Sequence, residues 1–100
     1  MSDKAWKKWE RKVAKYIGGQ RIPVSGRARG DAPDIKHNWL SPEVKYTATG
    51  MPKKWYQARA QSEASARDNQ LPVQIYTEKG ISVGDAFIVM RLSDFRDRFL

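Results

Sequence analysis

Apolar residues return at helical spacing through the first seventeen positions. At about 100° per residue, Trp6, Trp9, Val13, Tyr16 and Ile17 share one face, while Lys4, Lys7, Lys8, Arg11, Lys12 and Lys15 share the other. The spacing predicts a helix over residues 3–17. Ser2 or Asp3 can cap its start and Gly18-Gly19 can end it. Trp6 and Trp9 are expected in the core. Glu10 breaks the pattern, because it projects between Trp6 and Ile17 at the edge of the apolar stripe. An unpaired carboxylate is costly there, so the position calls for a nearby cation: a lysine, an arginine or a metal.

Shorter runs follow. Residues 21–24 predict a strand, and residues 25–33 (Ser-Gly-Arg-Ala-Arg-Gly-Asp-Ala-Pro) a flexible basic loop. Residues 34–37 predict a second strand, 38–42 a turn, and 43–47 a third strand closed by Thr49-Gly50. Pro52 suits the first turn of a helix running to about residue 69. Its alanines (Ala58, Ala60, Ala64, Ala66) would let it lie close to a sheet. Residues 73–77 and 85–91 predict two more strands with a turn at Lys79-Gly80, and Ser93 can cap a last helix over 94–99. The order αβββαββα predicts an α/β fold: a mixed β-sheet of about five strands flanked by helices. There are no repeats and no linker, so residues 1–100 are expected to form a single domain.

Composition narrows the function. Nineteen Lys+Arg against eleven Asp+Glu leave a net charge of +8, with a pI near 10.0. A small basic domain concentrates on polyanions, of which nucleic acid is the commonest. No cysteine is present and His37 is the single histidine, which excludes disulfides, thiolate zinc sites and histidine-rich cages. No apolar run reaches the roughly 18 residues of a membrane span. A soluble, cytoplasmic protein is the expectation, with no membrane partner and no small-molecule cofactor.

The candidate chemistry lies in Pro33-Asp34-Ile35 and Glu43-Val44-Lys45. Alternation along a strand puts Glu43 and Lys45 on one face and Val44 on the other. A neighbouring strand ending at Asp34 can bring a second carboxylate to that face. Hard oxygen donors of this kind suit Mg2+, with Mn2+ as a substitute. Asp34 and Glu43 would be direct ligands, and the backbone carbonyl of Val44 a third. Lys45 would hold or deprotonate the attacking water of phosphodiester hydrolysis. Glu10 would bind water on the metal or assist a second metal. Each element has a plainer reading as well: a solvated strand face, an ordinary turn acid, a surface glutamate.

Taken together, Glu10, Arg21-x-Pro23-x-Ser25-Gly26, Pro33-Asp34-Ile35 and Glu43-Val44-Lys45 resemble the PD-(D/E)XK nucleases. More narrowly the chain is similar to the archaeal-type Holliday junction resolvases and their small phage relatives. The resemblance implies a restriction-endonuclease-like fold and catalytic roles for Glu10, Asp34, Glu43 and Lys45. It also implies that Ser25 assists cleavage and that a glutamine of the following helix faces the site. Gln57 and Gln61 both qualify, with Gln57 at the better distance from the helix start. The small size of the chain sits with the phage members, and hence with a host cytoplasm.

Phosphate contacts are expected from Arg21, Arg27, Arg29, Lys36, Lys53 and Lys54, which would position a backbone and make binding salt-dependent. No element is available to read base edges, so sequence preference should be slight. Paired nicks in a four-way junction would need two sites related by a two-fold axis, hence a homodimer. Trp39 and Trp55 are expected to meet DNA or a partner. Two rivals remain: another nicking, flap or repair nuclease of the same superfamily, and a non-catalytic basic DNA-binding module.

Overall fold

The computed structural model describes residues 4–23 and 34–100 of the chain. Helix α1 (Ala5–Ile17) forms where the 3.6-residue spacing predicts it. Lys4 occupies its cap position without a side-chain cap bond, and Ser2 and Asp3 lie outside the described residues. The C-terminal end is a Schellman turn. Gly18 takes the left-handed conformation (φ 78°) that favours glycine. Gly19 N–H then donates to Ala14 C=O at 2.8 Å, and Gly18 N–H to Lys15 C=O at 3.4 Å.

Past that turn the chain enters β1 (Gln20–Arg21), which pairs antiparallel with β2 (Ile35–Lys36). Arg21 stands opposite Ile35 and Gln20 opposite Lys36. One further bond, Ile22 N–H to Asp34 C=O at 2.9 Å, extends the ladder. The α1 residues Ala14 and Ile17 bury against Ile35, and Val13, Leu40 and Val44 pack around them. His37 closes this core from outside. Its Nε2–H donates to Ile17 C=O at 2.9 Å, one of the carbonyls that a helix end leaves without an internal partner. Its Nδ1 accepts the N–H groups of Trp39 and Leu40 at 3.3 and 3.2 Å.

The second half holds α2 (Lys53–Ser65), β3 (Gln74–Tyr76), β4 (Phe87–Val89) and α3 (Leu92–Phe99), with a short 3₁₀ turn at Val83–Asp85. β3 and β4 pair antiparallel, Ile75 opposite Ile88. α2 meets β3 through polar and aromatic contacts. Gln74, buried, donates from Nε2 to Ser62 Oγ at 2.6 Å, and Trp55 stacks on Tyr76 with centroids 4.3 Å apart. Contacts divide the chain into two units, Met1–Gly50 with Leu100 and Met51–Phe99. Among the described residues, no helix is long and apolar enough to cross a membrane.

The expected five-stranded mixed β-sheet flanked by helices is not the architecture. Among the described residues, two separate two-stranded antiparallel sheets form instead. The 43–47 segment explains part of the difference. It keeps its alternation at Val44, which turns inward between exposed Glu43 and Lys45, but it joins neither sheet. Its Val44 N–H goes to the Asp34 side chain rather than to a neighbouring backbone, and Pro42 offers no N–H for a ladder. Smaller differences follow local chemistry. α2 stops at Ser65 because Ala66 is extended and the Gln70 side chain takes the Arg67 N–H at 3.0 Å. Ser93 lies inside α3 rather than capping it. Trp9 and Tyr16 are exposed, not core.

Candidate functional site

Asp34 stands immediately before β2, with its carboxylate turned into the first unit and buried. Its Oδ2 accepts Val44 N–H at 2.7 Å. This short bond holds the acid against the backbone of the residue between Glu43 and Lys45. Those two side chains turn to solvent. Lys45 Nζ lies 3.4 Å from Glu43 Oε1, with the lysine side chain 80% and the glutamate 62% exposed. An ion pair that open contributes about 0–1 kcal/mol, so both groups remain available to a ligand at little cost.

Glu10 is buried on α1 at 4% exposure, and its cation is an arginine. Arg21 Nε donates to Glu10 Oε1 at 2.8 Å. The same guanidinium lies over the Trp6 ring, 5.9 Å from its centroid. Burial of the acid at the edge of the apolar stripe thus follows from a partner that β1 supplies. Arg21, expected to contact phosphate, is engaged inside the protein.

Among the described residues, no three His, Cys, Asp or Glu side chains group closely enough to hold a metal ion. Glu10, Asp34 and Glu43 therefore do not form a closed three-carboxylate cage. Mg2+ does not need one: it keeps several waters and is held by one or two carboxylates together with substrate phosphates. Asp34, Glu43 and the Val44 carbonyl are oxygen donors of the type this ion takes, and the structure holds the Asp34 carboxylate buried on the Val44 N–H but the Glu43 side chain in solvent.

Ser25, Arg27 and Arg29 lie outside the described residues. Lys36 is exposed on β2. Lys53, Lys54, Gln57 and Gln61 all belong to α2 in the second unit, and all four are exposed. That unit has its own charged cluster. Arg91 donates from Nε and Nη2 to both oxygens of Glu63, and Arg59 Nε lies 3.8 Å from Glu63 Oε1. The hydrogen bond from Arg91 holds the Glu63 carboxyl below its ordinary value. The same bond raises Arg91. The cluster borders an open cavity of about 260 Å³ lined by Trp55, Tyr56, Gln74 and Met90 among others.

Sequence reasoning missed two features of the first unit. The His37 lock gives no pattern in one dimension, because its partners are backbone atoms. The stacked pair of Trp9 and Tyr46 leaves a trace: Trp9 stands at the border of the apolar stripe, beside Lys8 and three residues before Lys12. No family model matches the chain, and no curated protein or solved structure shows significant similarity to it.

Proposed function

We propose that this chain is a metal-dependent DNA endonuclease of the PD-(D/E)XK kind, acting on four-way junctions. The observation that carries the reading is the bond from Val44 N–H to the Asp34 carboxylate. It ties the first acid to the segment that carries the second acid and the lysine. A divalent ion bound there supplies Lewis acidity and an activated water. Asp34, Glu43 and the Val44 carbonyl would hold it, Mg2+ first and Mn2+ in its place. Lys45, open to solvent, offsets the negative charge that grows on the phosphate oxygens. Glu10, clamped by Arg21, is the helix carboxylate of the set.

The net charge of +8 supports a polyanionic substrate. Two-fold symmetric cutting of a junction would be the work of a homodimer, each copy contributing one site. The test is cleavage of a labelled four-way junction, a flap and a linear duplex, each with Mg2+ and with chelator. Paired symmetric nicks in the junction support the resolvase reading. One-sided nicks, or faster cutting of the flap, would transfer it to another nuclease of the same kind. Metal-independent inertness toward all three would leave a basic DNA-binding module.

A further inference from the structure

The outward side of α1 interleaves cations with aromatic rings. Lys8, Trp9, Lys12, Lys15 and Tyr16 are all exposed, and at 100° per residue they share a sector about 120° wide. The single acid of this helix, Glu10, is turned inward onto Arg21, so the exposed charges of α1 are all positive. Trp9 stacks on Tyr46, with centroids 5.9 Å apart and planes inclined by 29°. Both residues keep nearly half their surface in solvent, 45% and 48%. The Lys12 ammonium lies 5.5 Å from the Trp9 ring centre.

Rings that served only the core would be covered by it. Here two rings brace one another while leaving surface open, with Lys12 over the Trp9 ring and Lys8 and Lys15 on the same sector of the helix. Aromatic faces beside a basic track are how proteins hold unpaired bases: the rings stack, and the cations take the phosphates. We infer that Trp9 and Tyr46 form a stacking platform for an unpaired DNA base, with Lys8, Lys12 and Lys15 drawing the flanking phosphates. Placing that base near the cut rests on the nuclease reading, in which Tyr46 directly follows Lys45 in the chain. Continuous duplex shows base faces only at its ends, whereas a branch point interrupts stacking and exposes them. The platform therefore supplies a preference for branched over linear DNA that lysines alone would not give.

Equilibrium binding by fluorescence anisotropy, on the full chain with chelator present, tests this without any cleavage. The probes are a thymidine oligomer of about 16 nucleotides, at the upper end of ordinary single-strand site sizes, a duplex of equal length, and heparin as a polyanion without bases. Trp9→Ala and Tyr46→Ala should each weaken oligomer binding on the order of tenfold or more and leave heparin and duplex affinity unchanged. Trp9→Leu and Tyr46→Leu keep apolar bulk without a stacking face and should show the same loss. Trp9→Phe and Tyr46→Phe should retain most of the affinity. Unchanged oligomer binding in the leucine variants overturns the inference, as does a loss matched by heparin or a native chain that ignores the oligomer. If the platform variants behave as expected but no DNA is ever cut, the nuclease reading fails alone. If junctions are cut and every variant binds the oligomer equally, the platform fails alone.

Discussion

The Asp34 carboxylate accepts the Val44 N–H at 2.7 Å, and this bond bears on both the fold and the candidate site. It satisfies a backbone donor in a segment that joins neither sheet, where an unpaired, partly buried N–H would be costly. It also fixes an acid beside Glu43-Val44-Lys45. Fold and chemistry can therefore be separated by choosing what replaces the carboxylate.

Asp34→Asn retains a side-chain carbonyl that can accept the Val44 N–H, but it loses the charge. Asp34→Ala loses both. The alanine variant should be less stable by about 1–3 kcal/mol, the cost of an unsatisfied donor, and the asparagine variant by less. Urea denaturation gives both values. Neither should cut a junction, while both should still bind it, and the asparagine variant binds at least as well as the native chain because one negative charge near phosphate is gone. Full cleavage by Asp34→Asn would remove the metal site from the proposal.

Two ion pairs of the first unit should respond in opposite ways. Arg21→Ala takes the guanidinium from a glutamate only 4% exposed, and breaking a buried pair costs about 3–5 kcal/mol. Lys45→Ala breaks a pair that is mostly in solvent, which costs under about 1 kcal/mol. Its cleavage should nevertheless vanish, because Lys45 is assigned to the reaction. Thermal melting alongside the junction assay separates them. A strongly destabilised Lys45→Ala, or one that still cuts, contradicts the assignment.

Helical periodicity and end chemistry made α1 legible, down to the glycine pair that ends it and the cation that Glu10 requires. The β3–β4 pair was legible for a similar reason: its strands flank the expected Lys79-Gly80 turn, where Gly80 has a positive φ of 92°. Both are local features. Sheet assembly is not. Alternation at Val44 shows which way a side chain faces, but not whether its N–H will meet a strand or the Asp34 carboxylate. Trp9 was misassigned because a helical stripe has soft borders: a ring there can pack on the core or, as here, on Tyr46. Asp34, Glu43 and Lys45 stand out in the sequence only as residue types at a spacing, which says nothing of the hydrogen bond from the Val44 N–H to the Asp34 carboxylate.

In the second unit, stability should depend on pH through Glu63. Its hydrogen bonds and charge contact with Arg91 favour the ionised form and depress its pKa below the ordinary 4.5. A depressed carboxylate contributes stability that is present above its unfolded value and is lost as pH falls through the folded one. Native stability should therefore fall in mild acid, and Glu63→Gln should flatten that part of the profile while leaving the profile near neutrality parallel. Arg91 is exposed and Glu63 partly so, so added salt should shrink the difference. Denaturation midpoints at matched pH and ionic strength provide the measurement. An unchanged acid slope in Glu63→Gln would show that the Arg91 contact carries no stability.

The adjacent glycines that end α1 should fail for different reasons when given a side chain. At Gly18 a Cβ meets no atom within 4 Å, and the whole difficulty is the φ of 78°. Gly18→Ala should cost about 1–2 kcal/mol, and Gly18→Asn, which tolerates that region, should cost less. At Gly19 the difficulty is space. A Cβ there would lie 2.6 Å from Lys36 C=O and 2.7 Å from Ile35 Cγ2, atoms of β2 that cannot swing aside as a flexible side-chain tip would. Gly19→Ala must push the end of α1 away from Ile35, the most deeply buried side chain of the core. Overpacking of this kind costs about 1–3 kcal/mol or more. α1 carries Glu10, whereas β1 and β2 carry Arg21 and adjoin Asp34, so the displacement also disturbs the candidate site. Gly19→Ala should lose junction cleavage beyond what its fraction unfolded explains, whereas folded Gly18→Asn should cut at the native rate. Equal activity per folded molecule in the two variants would mean that the approach of α1 to β2 does not set the geometry of the site.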